Sequence, residues 1–294
     1  MSTSITTSFV RQYEREVHEV FQRTGAYLLP TVRWKNKVKG SSTTFQKIGK
    51  GIATTKSRHG TITPMNQTHT AIQVTLADFY AGDYFDKLDE AKIDHDERSA
   101  IARGGAASLG RKVDNQIITV LNTTTATGVT SASTTMAAFR NVLLNMDREA
   151  NENDVPNDGR RFGALTPNMW AFAMTVDAFS RAEYIDWKDL PYMSGVPHQG
   201  KYKRWLNANW QVHNDLPGVG STSSNGYLWH HDAVGYASNV VVEGMDQAMG
   251  ADITWHGERA AWFINHMMSG EAGMIDDTGV IESTHDDAAA LPIV

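Results

Sequence analysis

Opposite charges are sorted into two adjacent blocks of this 294-residue chain, and any fold it adopts has to place both. Between Thr31 and Gly60 stand Arg33, Lys35, Lys37, Lys39, Lys47, Lys50, Lys56 and Arg58 with no acidic residue. From Asp78 to Glu97 the sign reverses, with Asp78, Asp83, Asp86, Asp89, Glu90, Asp94, Asp96 and Glu97 against only Lys87 and Lys92. Such blocks either neutralise each other within one subunit, or one subunit's basic block lies on its neighbour's acidic one and sets the docking orientation. The second arrangement points to an assembling protein. Within the basic block Val32, Trp34 and Val38 alternate with Arg33, Lys35, Lys37 and Lys39, which predicts a strand with apolar groups on one face and four cations on the other. The stretch from Gly40 to Thr70 is polar and rich in threonine, and it runs into Ile72, Val74 and Leu76 alternating with Gln73 and Thr75. This is the expected returning strand of a long two-stranded ribbon, too thin to bury a core alone.

Composition narrows the classes. With 41% hydrophobic and 20% charged residues the chain is ordinary globular material, enough for one large core or two modest domains. A net charge of -6 argues against wholesale coating of nucleic acid, although a segregated basic patch can still meet phosphates. The absence of cysteine excludes disulfides, thiolate nucleophiles and cysteine-ligated zinc or iron-sulfur sites, so extra stability must come from packing or association. The opening MSTSITTSF has neither a basic n-region nor an apolar h-region, and no run of about eighteen apolar residues occurs. A chain made and kept in a cytoplasm-like compartment, with no membrane partner, is expected.

Further along, Phe9, Val10, Tyr13, Val17, Val20 and Phe21 recur at helical spacing up to Arg23, with Gly25 as a C-cap, giving a short amphipathic arm. A long helix is expected from Asp94 to Leu121, striped by Ile101, Leu109, Val113, Ile117, Ile118 and Leu121, with Asp94, Asp96 and Glu97 at the end where the helix dipole favours anions. Gly104, Gly105 and Gly110 weaken it by roughly 1 kcal/mol each relative to alanine, and such glycines often admit another backbone. The threonine-rich NTTTATGVTSASTT links it to a second helix over Met136 to Asn151, and Val155-Pro156-Asn157-Asp158-Gly159 makes a strong turn. Short strands and a helix after Thr166-Pro167 follow to Ala237, and β-like alternation returns in Trp255 to Ile264 and Met274 to Ile281. There is no internal repeat.

Catalytic signatures are nearly missing. His18-Glu19-Val20-Phe21-Gln22 approaches the zincin helix, but Gln22 stands where the second histidine is needed. Gly49-Lys50-Gly51 lacks both the glycine spacing of a phosphate loop and the hydroxyl after its lysine. Neither Gly-x-Ser-x-Gly nor Gly-x-Gly-x-x-Gly occurs. His230-His231-Asp232 follows Gly226-Tyr227-Leu228-Trp229 and reads as a buried strand entering a turn, because neighbouring strand residues point to opposite faces. His256, His266, His285-Asp286-Asp287 and the pair Asp276-Asp277 have no acid or base that spacing places across a cleft. Seven of the eight tryptophans fall from Trp170 onward, where core and interface anchoring is their ordinary role. No catalytic, cofactor or metal residue is assigned.

The order of these pieces resembles the major capsid proteins of tailed bacteriophages. DFYAGDYFDKLDEAKIDHDERSAIARGGAASLGRKVDNQII, Asp78 to Ile118, is similar to that family's segment leading into its spine helix, with Asp114 near the usual late aspartate. Val155 to Arg161, then Ala164-Leu165-Thr166-Pro167 and Phe179-Ser180-Arg181-Ala182-Glu183-Tyr184, resembles the axial-domain stretch, and Gly226 to Gly235 the strand that follows it. The resemblance implies an α+β chain of the Hong Kong 97-type capsid fold. Its parts would be an N-terminal arm over 1–30, an extended β-ribbon loop over 31–77, a peripheral domain over 78–135 and 241–294, and an axial domain over 136–240. It implies subunits that form pentamers and hexamers and close an icosahedral shell in the virion, made in the bacterial host cytoplasm. It also implies non-specific contact with packaged double-stranded DNA, a portal protein and a decoration protein as partners. The chain has no long charged helical segment before the arm, so a separate scaffolding protein is expected, and no lysine-asparagine cross-link is carried over. The cations Arg33, Lys35, Lys37 and Lys39 are expected to meet carboxylates of an adjacent subunit among Asp83, Asp86, Asp89 and Glu90. Monomers should hold the ribbon loosely. Two other readings stand beside this one: an encapsulin-like nanocompartment of the same fold that holds a cargo enzyme, and a hydrolase or lectin-like enzyme with unreadable site loops.

Overall fold

The computed structural model describes residues 26–90, 97–125, 129–131, 136–175, 202–239 and 249–288. The amphipathic arm from Phe9 to Arg23, the His18 to Gln22 run, Asp94, Asp96 and the run from Phe179 to Tyr184 lie outside them. Two sheets and a ribbon organise the rest. The first sheet has the order β1 (Arg33–Val38), β10 (Val234–Asn239), β12 (Ala261–Met274), β11 (Met249–His256), with β4 (Ala77–Asp86) also paired to β12. Its cover is α2 (Glu97–Leu121), where Leu109, Val113, Ile117, Ile118 and Leu121 of the expected stripe enter the core and Ile101, half-buried, does not. That stripe packs with Val234, Tyr236, Met268 and Ala272. A polar tie crosses the same interface, where Gln116 donates to the Gly270 carbonyl at 2.8 Å and accepts from the Tyr236 hydroxyl at 3.1 Å.

The second sheet runs β5 (Val129–Ser131), β13 (Val280–His285), β9 (Ser224–His230), β6 (Arg161–Leu165), β8 (Ala208–Val212), β7 (Lys203–Trp205). Its core packs the helices α3 (Met136–Glu152) and α4 (Pro167–Thr175) with Leu165, Trp210 and Leu228, and Phe139 stacks on Phe172 at 4.1 Å between ring centres. Helix α4 begins where the sequence signals a start: Thr166 Oγ1 accepts the Met169 N–H at 3.2 Å, and Pro167, which has no N–H to lose, fills the first turn. A three-residue turn after His230 carries the chain from this sheet into β10 of the other. The return leg also crosses over. Val280–His285, in the segment expected with the peripheral part, hydrogen-bonds to β9, while Val234–Asn239, in the segment expected with the axial part, pairs with β1 and β12.

The ribbon differs from expectation in its partner strands. Arg33–Val38 does not pair with the returning strand; it pairs parallel with β10, and the antiparallel ribbon is β2 (Ser42–Ile48) with β3 (His69–Thr75). Gly40, at φ +104, lets the chain turn between β1 and β2, in a conformation that costs a side-chain-bearing residue free energy. The expected two-faced alternation in β1 also fails, because Lys37 takes φ +58 and the register shifts between Lys35 and Val38. Trp34 is therefore half-exposed beside the cations, its indole N–H donating to Ser238 Oγ at 2.9 Å, while Val38 is buried. Trp255 to Ile264 is likewise not one strand: β11 ends at His256, a turn with Ala260 at φ +50 reverses the chain, and β12 begins at Ala261. Met274 to Ile281 is interrupted by a 3-10 turn over Asp277–Gly279.

Candidate assembly surfaces

The ribbon is rooted in its own subunit. Phe45 of β2 and Val74 of β3 are buried with Val38, Ala237 and Ile275 in a small core separate from the two larger ones. Both side chains fill places where the sheet has no side chain of its own. A methyl group on Gly235 would lie 2.7 Å from the Phe45 ring, and one on Gly273 would overlap Val74. Arg33 sits over the Phe45 ring at 5.9 Å from its centre. Two ion pairs continue the attachment. Lys47 Nζ is 2.8 Å from Asp276 Oδ1, and Lys50 Nζ is 2.6 Å from Asp154 Oδ2. Burial works to raise the Asp276 carboxyl, but hydrogen bonds from Lys47 and Thr278 together hold it below the usual carboxylate value. The Lys50 hydrogen bond does the same for the exposed Asp154. Between the two pairs lies a cleft of about 230 Å³ whose lining includes Lys50, Asp154, His230, Asp232 and Asp276. Beyond the root, residues 49–68 expose apolar side chains, Ile52 at 82% and Ile62 at 75%.

Arg33, Lys35, Lys37 and Lys39 are all exposed on or beside β1. Lys35 is tied to the ribbon, its Nζ donating to Thr43 Oγ1 at 2.6 Å. Asp83 and Asp86 lie on β4, and Asp89 and Glu90 in the short helix α1 (Lys87–Glu90). β10 and β12 stand between β1 and β4 in the first sheet, and no strand register brings the β1 cations and the β4 carboxylates opposite each other. The ten-residue strand β4 itself was not foreseen, because Asp78, Asp83 and Asp86 dilute its apolar pattern. The attachments made by Lys47, Lys50, Phe45 and Val74 were not foreseen either. The available signals were isolated glycines inside strand patterns, Gly235 and Gly273, which mark places where another group approaches closely.

A third surface concerns the base of the arm. Asp114 on α2 is fully buried, its Oδ2 accepting the Tyr27 N–H at 3.0 Å and its Oδ1 the Leu28 N–H at 2.8 Å. His213, where the chain leaves β8, places Nε2 3.5 Å from the same carboxylate. Leu28 and Val32 are inserted in the first core, and the Trp229 indole donates to the Thr31 carbonyl at 3.1 Å. One carboxylate thus joins the arm's root, the long helix and the second sheet. His230 is buried with Nε2 3.1 Å from Asp158, in the expected turn, and Arg160 bridges His231 and Asp232. Among the described residues no three histidine, aspartate or glutamate side chains converge as metal ligands, and no helix is long and apolar enough to cross a membrane.

A long helix across one sheet, a second sheet with two helices, and a projecting ribbon between them define the Hong Kong 97-type capsid fold. The capsid of Cyanophage P-SCSP1u superposes with a TM-score of 0.74 at 15% identity, covering 96% of this chain and 94% of that one. The capsid of Ralstonia phage GP4 does so at 0.71 and 10% identity, covering 97% of each. The holo-SrpI encapsulin complex from Synechococcus elongatus PCC 7942 follows at 0.63 and 10%, covering 100% of this chain and 99% of that one. No curated protein matches in sequence. The chain belongs to the phage capsid protein family, whose match runs over residues 5–287. It is a major capsid protein, a subunit of a self-assembling shell.

Proposed function

We propose that this subunit forms pentamers and hexamers of a closed icosahedral phage head and does no chemistry of its own. The observation that carries this reading is the ribbon, rooted through Phe45 and Val74 but exposing Ile52 and Ile62 beyond the root. Apolar groups on so thin an element find cover only against another molecule. The arm over 1–30 and the ribbon over 31–77 are its reaching parts, 78–135 with most of 241–294 its peripheral domain, and 136–240 its axial domain. The sheet crossings argue for moving β10 to the peripheral part and β13 to the axial part. Arg33, Lys35, Lys37 and Lys39 face an adjacent subunit's Asp83, Asp86, Asp89 and Glu90. A separate scaffolding protein, a portal protein and a decoration protein are its protein partners. Packaged double-stranded DNA meets it without sequence preference, in a virion made in the bacterial host cytoplasm.

Electron microscopy and sedimentation of the purified chain, with and without a co-expressed scaffold, test this. Closed shells or capsomer rings are expected. A monomer that persists at every concentration and at low salt would overturn the reading. Shells from infected cells are expected to hold nuclease-protected DNA, and shells filled with one enzyme instead would favour the encapsulin-like alternative.

A further inference from the structure

We propose that Lys47 and Lys50 are positioning residues that clamp the ribbon across the cleft of its own subunit and thereby set the angle at which it projects. The inference rests on the shell-subunit reading above. The buried root, Phe45 over Gly235 and Val74 over Gly273, fixes where β2 and β3 leave the body. A root of two side chains acts as a pivot, and a pivot leaves rotation undetermined. The two lysines, three residues apart at and just past the end of β2, reach carboxylates on different elements. Asp276 lies in the turn after β12, and Asp154 follows α3. Two attachments, to Asp276 and Asp154 in the lining of one cleft, remove the remaining rotation. Asp276 is a prepared acceptor, since its Oδ1 also receives the Thr278 N–H at 3.2 Å and hydroxyl at 2.8 Å. Asp154 is held at φ +55 in the turn before Val155, and its backbone N–H donates to the Asn151 carbonyl at 3.1 Å. Exposed pairs are individually weak and screened by salt, so the clamp biases an angle without locking it. Repeated at every subunit, a small angular bias decides between uniform and irregular closure.

The clamp reading separates from a contact between subunits by charge exchange. Lys50→Glu and Asp154→Lys are each expected to yield fewer and less uniform shells by microscopy and sedimentation. Both changes in one chain should restore uniform shells. An equal mixture of the two single-variant chains should not, because each ribbon still meets its own subunit's like charge. In unassembled subunits, Lys50→Glu is expected to speed tryptic cleavage at Lys56 and Arg58 a few-fold, with an unchanged circular dichroism spectrum. This readout stands even if the wild-type chain forms no shells, and so distinguishes failure of the clamp from failure of the shell reading. Wild-type cleavage rates in Lys50→Glu, or rescue by the mixture as complete as by the double variant, overturn the proposal.

Discussion

His285 shows how a single side chain ties stability to pH. It lies buried on β13 with Nε2 3.2 Å from Thr166 Oγ1 and 3.8 Å from Asp287 Oδ1, and the Phe139 ring meets its edge. Burial pushes the imidazole below its ordinary 6.5, and the nearby Asp287 and Asp286 only partly oppose this. The folded chain therefore takes up this proton less readily than the unfolded one. Its contribution is intact above pH 6.5 and is lost as the pH falls from there through the depressed folded value. His285→Gln is expected to flatten that limb, so thermal midpoints measured from about pH 7 down to about pH 5 should fall less than in wild type. An unchanged acid limb would assign it to other groups. Asp114 works at the same scale with a different partner set, because a buried carboxylate with two backbone donors leaves little freedom to the chain that donates them.

Among elements, α2 carries the sharpest contrast. Gly104 and Gly105 are neighbours in sequence and equal in helix propensity, yet their surroundings differ. A methyl group on Gly105 would overlap the buried His266 ring, whereas no described atom lies within 4 Å of one on Gly104. The glycines were expected to admit another backbone, and at Gly105 it is an imidazole on β12 that takes the space. Gly104→Ala should stabilise the unassembled subunit by up to about 1 kcal/mol through propensity alone. Gly105→Ala should destabilise it, since the added methyl forces the buried His266 ring to shift. Denaturant midpoints check both, and His266→Ala in the Gly105→Ala background should recover part of the loss. A Gly105→Ala variant as stable as Gly104→Ala would show that the sheet yields.

For the whole molecule, the contact proposed between one subunit's basic block and another's acidic block is read through association. Two other strands separate β1 from β4 in the first sheet, so no register sets Arg33, Lys35 and Lys37 opposite Asp78, Asp83 and Asp86. Changing Lys37 and Lys39 probes a contact between copies while keeping the Lys35 bond to β2 in place. Lys37→Glu with Lys39→Glu should leave the circular dichroism spectrum native but reduce shells in sedimentation, because like charges then meet at every copy of the contact. Adding Asp83→Lys and Asp86→Lys should restore part of the yield. Normal shells from the double glutamate variant at low salt, where surface charges are least screened, would reduce the cations to solubilising groups.

Period and punctuation sufficed for what is local. The stripe from Leu109 to Leu121, the helix over Met136–Glu152, the Thr166-Pro167 start and the turn ending at Gly159 are all decided within a few residues, so they are legible in the sequence. The order of those pieces was enough to place the chain among phage capsid proteins. Pairing was not legible. Whether Arg33–Val38 joins the returning strand or β10, some two hundred residues away, depends on a reversed backbone angle at Lys37 and a turn at Gly40 that alternation does not report. Nor could spacing show that Phe45 and Val74 seat on Gly235 and Gly273, or that Lys47 and Lys50 find Asp276 and Asp154. A glycine in a strand signals room without naming the guest. A charge on a ribbon finds its partner only once the sheets beneath it have packed and fixed where each carboxylate stands.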